Sequence, residues 1–99
     1  MRETVVEKYL HREVEKAGGT TRKFSSATRK SNPDRIVIWP VEATLPFRAD
    51  IDFVELKSTG KKARAAQARE HKRLRDLGCK VYVIDTKAKV DEYVKGHRQ

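Results

Sequence analysis

The sequence has 99 residues, a length typical of one domain with a modest hydrophobic core. Its 23 lysine and arginine residues outnumber 14 aspartate and glutamate residues, so its formal net charge is +9, which favours an anionic partner such as nucleic acid. No apolar run approaches the ~20 residues needed to span a bilayer, the start of the chain lacks the apolar core of a secretory signal, and a single cysteine, Cys79, indicates a reducing cytosol.

The first half of the chain predicts one helix followed by three strands. Apolar side chains at spacings of three and four predict a helix from Glu3 to Ala17, which Gly18-Gly19 ends. Strands are predicted for Thr20 to Phe24, Asp34 to Trp39 and Ile51 to Lys57. These strands are joined by connectors long enough for an antiparallel arrangement.

The second half predicts a helix, a strand and a last helix. The helix spans Lys61 to Leu77, the strand Lys80 to Asp85 and the last helix Lys87 to Lys95, and residues 97–99 are predicted to form a frayed tail. The helix between the last two strands makes a crossover, so those strands should run parallel. The prediction is therefore an α/β fold with an α-β-β-β-α-β order and a mixed four-stranded sheet flanked by helices. The inner stripe of the second helix is predicted to be Ala63, Ala66, Leu74 and Leu77.

Three charged residues predict a metal-dependent phosphodiesterase site. Side chains alternate along a strand, so Glu55 and Lys57 should project from one face. Asp34 follows Pro33 at the start of another strand, where it could share Mg²⁺ or Mn²⁺ with Glu55. Lys57 would then orient the attacking water or stabilise charge on the scissile phosphate. An E-x-K pattern also arises by chance as a surface ion pair, so its surroundings decide between these interpretations.

Further polar residues fall where apolar ones would be expected. Glu3 lies within the apolar arc of the first helix and Glu7 at its edge, so either could turn toward the sheet and meet a metal or Lys57. A frayed first turn is the alternative for Glu3. Gln67 lies on the inner side of the second helix and could bond to Lys57 or to a metal-bound water. His71 lies on the flank of that helix and is predicted to be a surface residue.

Basic residues cluster near the proposed site along the sequence. One group precedes or follows Asp34 and the other follows the Glu55 strand. Such side chains would contact phosphates without reading the base sequence. The residues predicted to bind nucleic acid are Arg22, Lys23, Arg29, Lys30, Arg35, Lys61, Lys62 and Arg64.

These motifs together resemble the PD-(D/E)XK nucleases, and more narrowly the virus-type replication-repair nuclease (VRR-NUC) family. The resemblance extends from Glu3 to Asp85. It rests on the order and spacing of short motifs: Glu3, Gly18-Gly19, Lys23-Phe24, Pro33-Asp34-Arg35, Phe53-Val54-Glu55-Leu56-Lys57, Gln67, Leu77-Gly78 and Val81-Tyr82-Val83-Ile84-Asp85. It implies a restriction-endonuclease-like fold over residues 1–99 as a single nuclease domain.

The resemblance also implies a function and a set of site residues. Asp34 and Glu55 would hold Mg²⁺ or Mn²⁺ for phosphodiester cleavage. Lys57 would orient the attacking water, and Gln67 and a glutamate of the first helix would support the site. Small stand-alone members, often phage-encoded, resemble Holliday junction resolvases and act as symmetric dimers, which implies a homodimer that acts on branched DNA. The expected location is the cytoplasm, that of a bacterial host if the chain is phage-encoded. Two alternatives remain: a nuclease for flaps, nicks or unbranched duplex, and a catalytically silent nucleic-acid-binding module.

Overall fold

The computed structural model describes residues 1–24, 31–41 and 50–97 of the chain. Within these ranges the helices and strands are α1 (Glu3–Lys16), β1 (Thr20–Lys23), β2 (Arg35–Trp39), β3 (Asp50–Leu56), α2 (Ala65–Asp76), β4 (Lys80–Ile84) and α3 (Lys87–Lys95). Except for α2, these bounds lie within one residue of those that the sequence predicts. None of these helices is long and apolar enough to cross a membrane.

The four strands form one sheet in the order β1-β2-β3-β4. Neighbours β1–β2 and β2–β3 are antiparallel, while β3 and β4 are parallel and joined through α2. The predicted mixed four-stranded sheet is therefore confirmed. The register pairs Arg35 with Val54, which brings the start of β2 beside the end of β3. Glu55 is paired on its other side with Val83 of β4.

The hydrophobic core lies between one face of the sheet and the helices α1 and α3. Apolar residues recur every fourth position along α1, and those side chains are fully buried. The two helices pack against each other, and α1 also contacts β1 and β3. The core residues are Val6, Leu10, Val14, Val37, Trp39, Val54, Leu56, Ile84, Val90, Tyr93 and Val94. This layer fixes the position of β3 from one side and leaves its opposite face for polar side chains.

The turn between α1 and β1 depends on two glycines. Gly18 has φ of +94°, a left-handed conformation that a side chain disfavours. A Cβ atom on Gly19 would lie 2.8 Å from the backbone oxygen of Ile38. The turn is therefore pressed against β2, which fixes how α1 approaches the sheet.

Helix α2 differs from its prediction in its start and in its inner face. It begins at Ala65 rather than Lys61, and residues 61–64 precede it in a non-helical conformation. Its buried residues are Gln67, Glu70 and His71, whereas Leu77 is 81% exposed and Ala66 is exposed. The predicted inner stripe was therefore wrong for Ala66 and Leu77, whereas Ala63 and Leu74 are half-buried and the predicted inward position of Gln67 is confirmed. A polar helix face opposes the sheet face that carries Glu55.

Candidate active site

A pair of carboxylates lies where β2 begins and β3 ends. The antiparallel register places Asp34, the residue before β2, beside Glu55. The Asp34 carboxylate Oδ2 accepts a hydrogen bond of 2.7 Å from the backbone N–H of Leu56, which anchors its side chain. Glu55 is 1% exposed. Its burial and the hydrogen bond that it shares with Asp34 raise the pKa of Glu55 to about 8.

This pair fits a divalent cation. A hydrogen bond between two carboxyl groups requires a proton, because ionised carboxylates only accept hydrogen bonds. A cation bound by both groups would allow both carboxyl groups to be ionised without a shared proton and would compensate their charges. Oxygen ligands of this type suit Mg²⁺ and Mn²⁺. Asp34 and Glu55 are therefore the residues that could hold such an ion.

Lys57 is held beside Glu55 by the side chain of Gln67. The ammonium Nζ donates a hydrogen bond of 2.7 Å to Gln67 Oε1 and lies 3.9 Å from Glu55 Oε2. The same amide oxygen accepts 2.9 Å from the backbone N–H of Arg64, just before α2. The amide nitrogen of Gln67 donates to Glu55 Oε2 over 3.3 Å. The start of α2 thus supports both charged residues of the E-x-K motif.

The two glutamates of α1 lie in different surroundings. Glu3 is close enough to the site that partial burial and the charge of Asp34 raise its pKa, while Lys57 acts in the opposite direction. Glu7 instead accepts a bond of 3.1 Å from the Arg35 guanidinium. Glu3 is largely exposed on the first turn of α1 and its charge interacts with those of Asp34 and Lys57, whereas Glu7 is engaged by Arg35. The role of either glutamate at the pair stays a prediction.

His71 is buried against Glu55, so its prediction as a surface residue was wrong. The imidazole is 1% exposed, and its Nε2 lies 3.3 Å from Glu55 Oε1. Burial, followed by the charges of Arg75 and Lys57, lowers the pKa of His71. The sequence held one signal for this placement: His71 follows Gln67 by four residues, a spacing that puts both on one helix face.

Comparison with known proteins shows the family of the chain. No family model matches the chain. The chain is 43% identical over 86 residues to "Putative nuclease p44" of Acyrthosiphon pisum secondary endosymbiont phage 1, covering 87% of this chain and 85% of that protein. Its fold is similar to the solved structure of a VRR_NUC domain, with a TM-score of 0.81, 36% identity and 94% of each chain covered. The chain belongs to the VRR-NUC nuclease family.

The basic residues predicted to bind nucleic acid fall into several settings in this VRR-NUC domain. Arg22 and Lys23 are exposed on β1, while Lys61, Lys62 and Arg64 are exposed in the segment before α2. Arg35 is already paired with Glu7. Two of the predicted residues, Arg29 and Lys30, lie outside the described residues.

A second group of possible metal ligands lies on the core face of the sheet in this VRR-NUC domain. Among the described residues, Asp50, Asp52 and His97 have ligand atoms within 4.8 Å of one another. The ammonium of Lys80 pairs with Asp50 and lies 2.9 Å from Asp52 Oδ1, and His97 Nε2 lies 3.0 Å from Asp52 Oδ2. The His97 ring also stacks on Trp39, with ring centroids 4.6 Å apart.

Lys80 supplies the positive charge that compensates this second group. The contacts of His97 with Asp52 and Trp39 show that the prediction of a frayed tail was wrong at this residue. Burial lowers the pKa of Lys80, but its hydrogen bonds to Asp50 and Asp52 outweigh this effect and raise that pKa overall. Lys80 therefore stays charged and compensates the buried Asp52. At the Asp34–Glu55 pair, by contrast, the Lys57 ammonium lies 3.9 Å from Glu55 and is bonded to Gln67.

Proposed function

We propose that this VRR-NUC domain is a divalent-metal-dependent endonuclease for DNA that favours branched substrates such as four-way junctions and acts as a symmetric homodimer. The observation that carries the proposal is the Asp34–Glu55 pair: the N–H of Leu56 anchors Asp34, Glu55 is 1% exposed, and burial together with the hydrogen bond to Asp34 raises the pKa of Glu55 to about 8. Asp34 and Glu55 would hold Mg²⁺ or Mn²⁺, and Glu3 would add a nearby negative charge. A buried carboxyl group beside a second carboxyl group is costly to a fold unless a ligand or a reaction uses it.

The residues around the pair suit phosphodiester hydrolysis. When bound, the cation would supply Lewis acidity that activates the attacking water and neutralises charge on the scissile phosphate. Lys57 would donate a hydrogen bond to that water or to a phosphate oxygen. The hydrogen bond of 2.7 Å from Lys57 Nζ to Gln67 Oε1 restrains the ammonium, and this would fix the direction from which Lys57 reaches the substrate.

The DNA would be held by phosphate contacts beside this site. Lys61 and Lys62, in the segment that leads into α2, line a cavity of about 390 Å³ together with Lys89 of α3. Asp85 accepts a bond of 2.9 Å from the backbone N–H of Gly60 and thereby fixes this segment against the end of β4. Contacts of this kind position a duplex without selecting a sequence.

DNA binding should weaken steeply with salt, because each phosphate contact releases counterions. Replacing Lys61 and Lys62 together by alanine should lower affinity at low salt and make the plot of log affinity against log salt shallower by about two units. Fluorescence anisotropy with a labelled junction in Ca²⁺ would measure both slopes. An affinity independent of salt would contradict the proposed contacts.

Cleavage should depend on the metal and on the shape of the DNA. We expect four-way junctions to be cut in Mg²⁺ or Mn²⁺ more rapidly than flaps, nicked duplex and plain duplex of the same sequence. Robust cutting in EDTA would contradict the metal mechanism. Faster cutting of a flap, a nick or plain duplex would favour that alternative substrate, and binding without any cutting would favour a silent binding module.

A two-fold dimer would present two active sites to two strands of a junction. Light scattering should therefore give twice the 11.4 kDa mass of the chain at micromolar concentration. A monomer under the same conditions would contradict the symmetric dimer and leave the chemistry of the site unaffected.

A further inference from the structure

We propose that His71 is a positioning residue that holds the Glu55 carboxylate in the orientation needed for metal binding. This inference rests on the proposed function, because it concerns the same carboxylate. It adds a residue that the E-x-K motif does not contain and that contacts neither the scissile phosphate nor Asp34 in the proposal. His71 would act only through Glu55.

Two side chains of one helix meet one carboxylate: the Gln67 amide donates to it, and the His71 imidazole donates to it in its Nε2–H tautomer. Gln67 Nε2 lies 3.3 Å from Glu55 Oε2, and His71 Nε2 lies 3.3 Å from Glu55 Oε1. Residues 67 and 71 are one turn apart on α2, so their side chains leave the same helix face. Each oxygen of Glu55 therefore has a separate partner on α2, which fixes the rotation of the carboxylate group.

The bonding capacity of the groups explains why this arrangement suits a metal ligand. An ionised carboxylate oxygen accepts more than one hydrogen bond, so a donor from α2 leaves further lone pairs for a cation. Carboxylates that bind metals are oriented by such neighbouring donors, and removing one typically costs about 10- to 100-fold in metal affinity or activity. The polar inner face of α2 is then explained, since leucine at position 71 would leave Glu55 Oε1 without this donor.

The alternative is that His71 is only a buried polar residue that stabilises α2 on the sheet. Two substitutions separate these interpretations. His71→Gln places an amide nitrogen near the former position of the imidazole Nε2, whereas His71→Met has a similar length and no donor. The measurements are Mn²⁺ affinity by titration calorimetry and the melting temperature without metal, both on the full chain.

We expect His71→Met to weaken Mn²⁺ binding by about 10- to 100-fold and His71→Gln to restore most of it, with similar melting temperatures for the two variants. Equal Mn²⁺ affinity of His71→Met and the wild type, or failure of His71→Gln to exceed His71→Met, would overturn the role of His71. If the wild type binds no Mn²⁺ and cuts no DNA, the proposed function itself fails, and the inference fails with it.

A further substitution keeps the test decisive if His71→Met does not fold. His71→Asn retains an amide on a shorter side chain that does not reach Glu55. We expect it to bind Mn²⁺ about 10-fold more weakly than His71→Gln. Equal affinities of these two variants would again overturn the role of His71.

Discussion

Replacing Glu55 with glutamine should abolish cleavage and stabilise the metal-free protein at alkaline pH. Glutamine keeps the shape of the side chain but removes the charge that would bind a cation. We expect the single-turnover cleavage rate in Mn²⁺ to fall by about 10³-fold or more. Quenched assays on a junction substrate would measure it, and a rate near that of the wild type would contradict the assignment of Glu55.

The stability effect follows from the direction of the pKa shift. The pKa of Glu55 is raised from an ordinary value of 4.5 to about 8 in the folded protein. The unfolded chain therefore releases this proton first, and the metal-free fold loses stability as pH rises from about 4.5 to 8. Glu55→Gln lacks this loss, so its melting temperature should match the wild type near pH 4 and exceed it at pH 9. A lower melting temperature of Glu55→Gln at pH 9 would contradict the shift.

Asp52→Asn is the matched control for Glu55→Gln. Asp52 is another fully buried carboxylate of β3, but it faces the core and bonds to Lys80, Trp39 and Tyr93. Removing its charge leaves Lys80 with Asp50 as its remaining carboxylate partner and weakens the buried bonds from Trp39 and Tyr93, so we expect a loss of stability of about 2–3 kcal/mol. Below its melting temperature, this variant should still bind Mn²⁺ and cut DNA. Loss of Mn²⁺ binding in Asp52→Asn alone would move the metal site to Asp50, Asp52 and His97.

Replacing Lys57 with methionine should lower the rate of the chemical step while leaving the affinities for metal and DNA almost unchanged. Methionine has a similar length without the ammonium, so the hydrogen bond to Gln67 Oε1 is lost and Glu55 keeps its other neighbours. A single donor aimed at developing charge is typically worth about 10²–10³-fold in rate. We expect a fall of that size in the single-turnover rate at saturating protein.

The control for Lys57→Met is Lys61→Met, which removes an exposed lysine near the same helix. Lys61→Met should weaken DNA binding at low salt and leave the rate at saturation within about two-fold, because one phosphate contact acts mainly on affinity. If Lys57→Met behaves like Lys61→Met, then Lys57 serves substrate binding rather than the chemical step.

The sequence predicted the sheet and the E-x-K site for the same physical reason. Strand alternation puts Glu55 and Lys57 on one face whatever the rest of the chain does, and the α2 crossover requires β3 and β4 to be parallel. The contact between Gln67 and Lys57 was also anticipated, since Gln67 interrupts an apolar pattern. The roles of these residues in catalysis remain predictions that the variants above test.

The polar packing of α2 was not predictable from hydrophobic periodicity. Hydrophobic periodicity assigns alanine and leucine to the inner face and leaves His71 on the flank, yet His71 is buried because Glu55 requires a hydrogen-bonding partner there. Leu77 is consequently exposed. His97 escaped prediction for a similar reason: its partners Asp52 and Trp39 are distant in sequence, and no local pattern records such a contact.

Mn²⁺-loaded crystals of the wild-type protein would locate the metal through the anomalous scattering of the ion. We expect a peak in contact with carboxylate oxygens of Asp34 and Glu55. A peak at Asp50, Asp52 and His97, or density between Asp34 and Glu55 that remains empty in crystals of a protein that cuts DNA in Mn²⁺, would contradict this expectation.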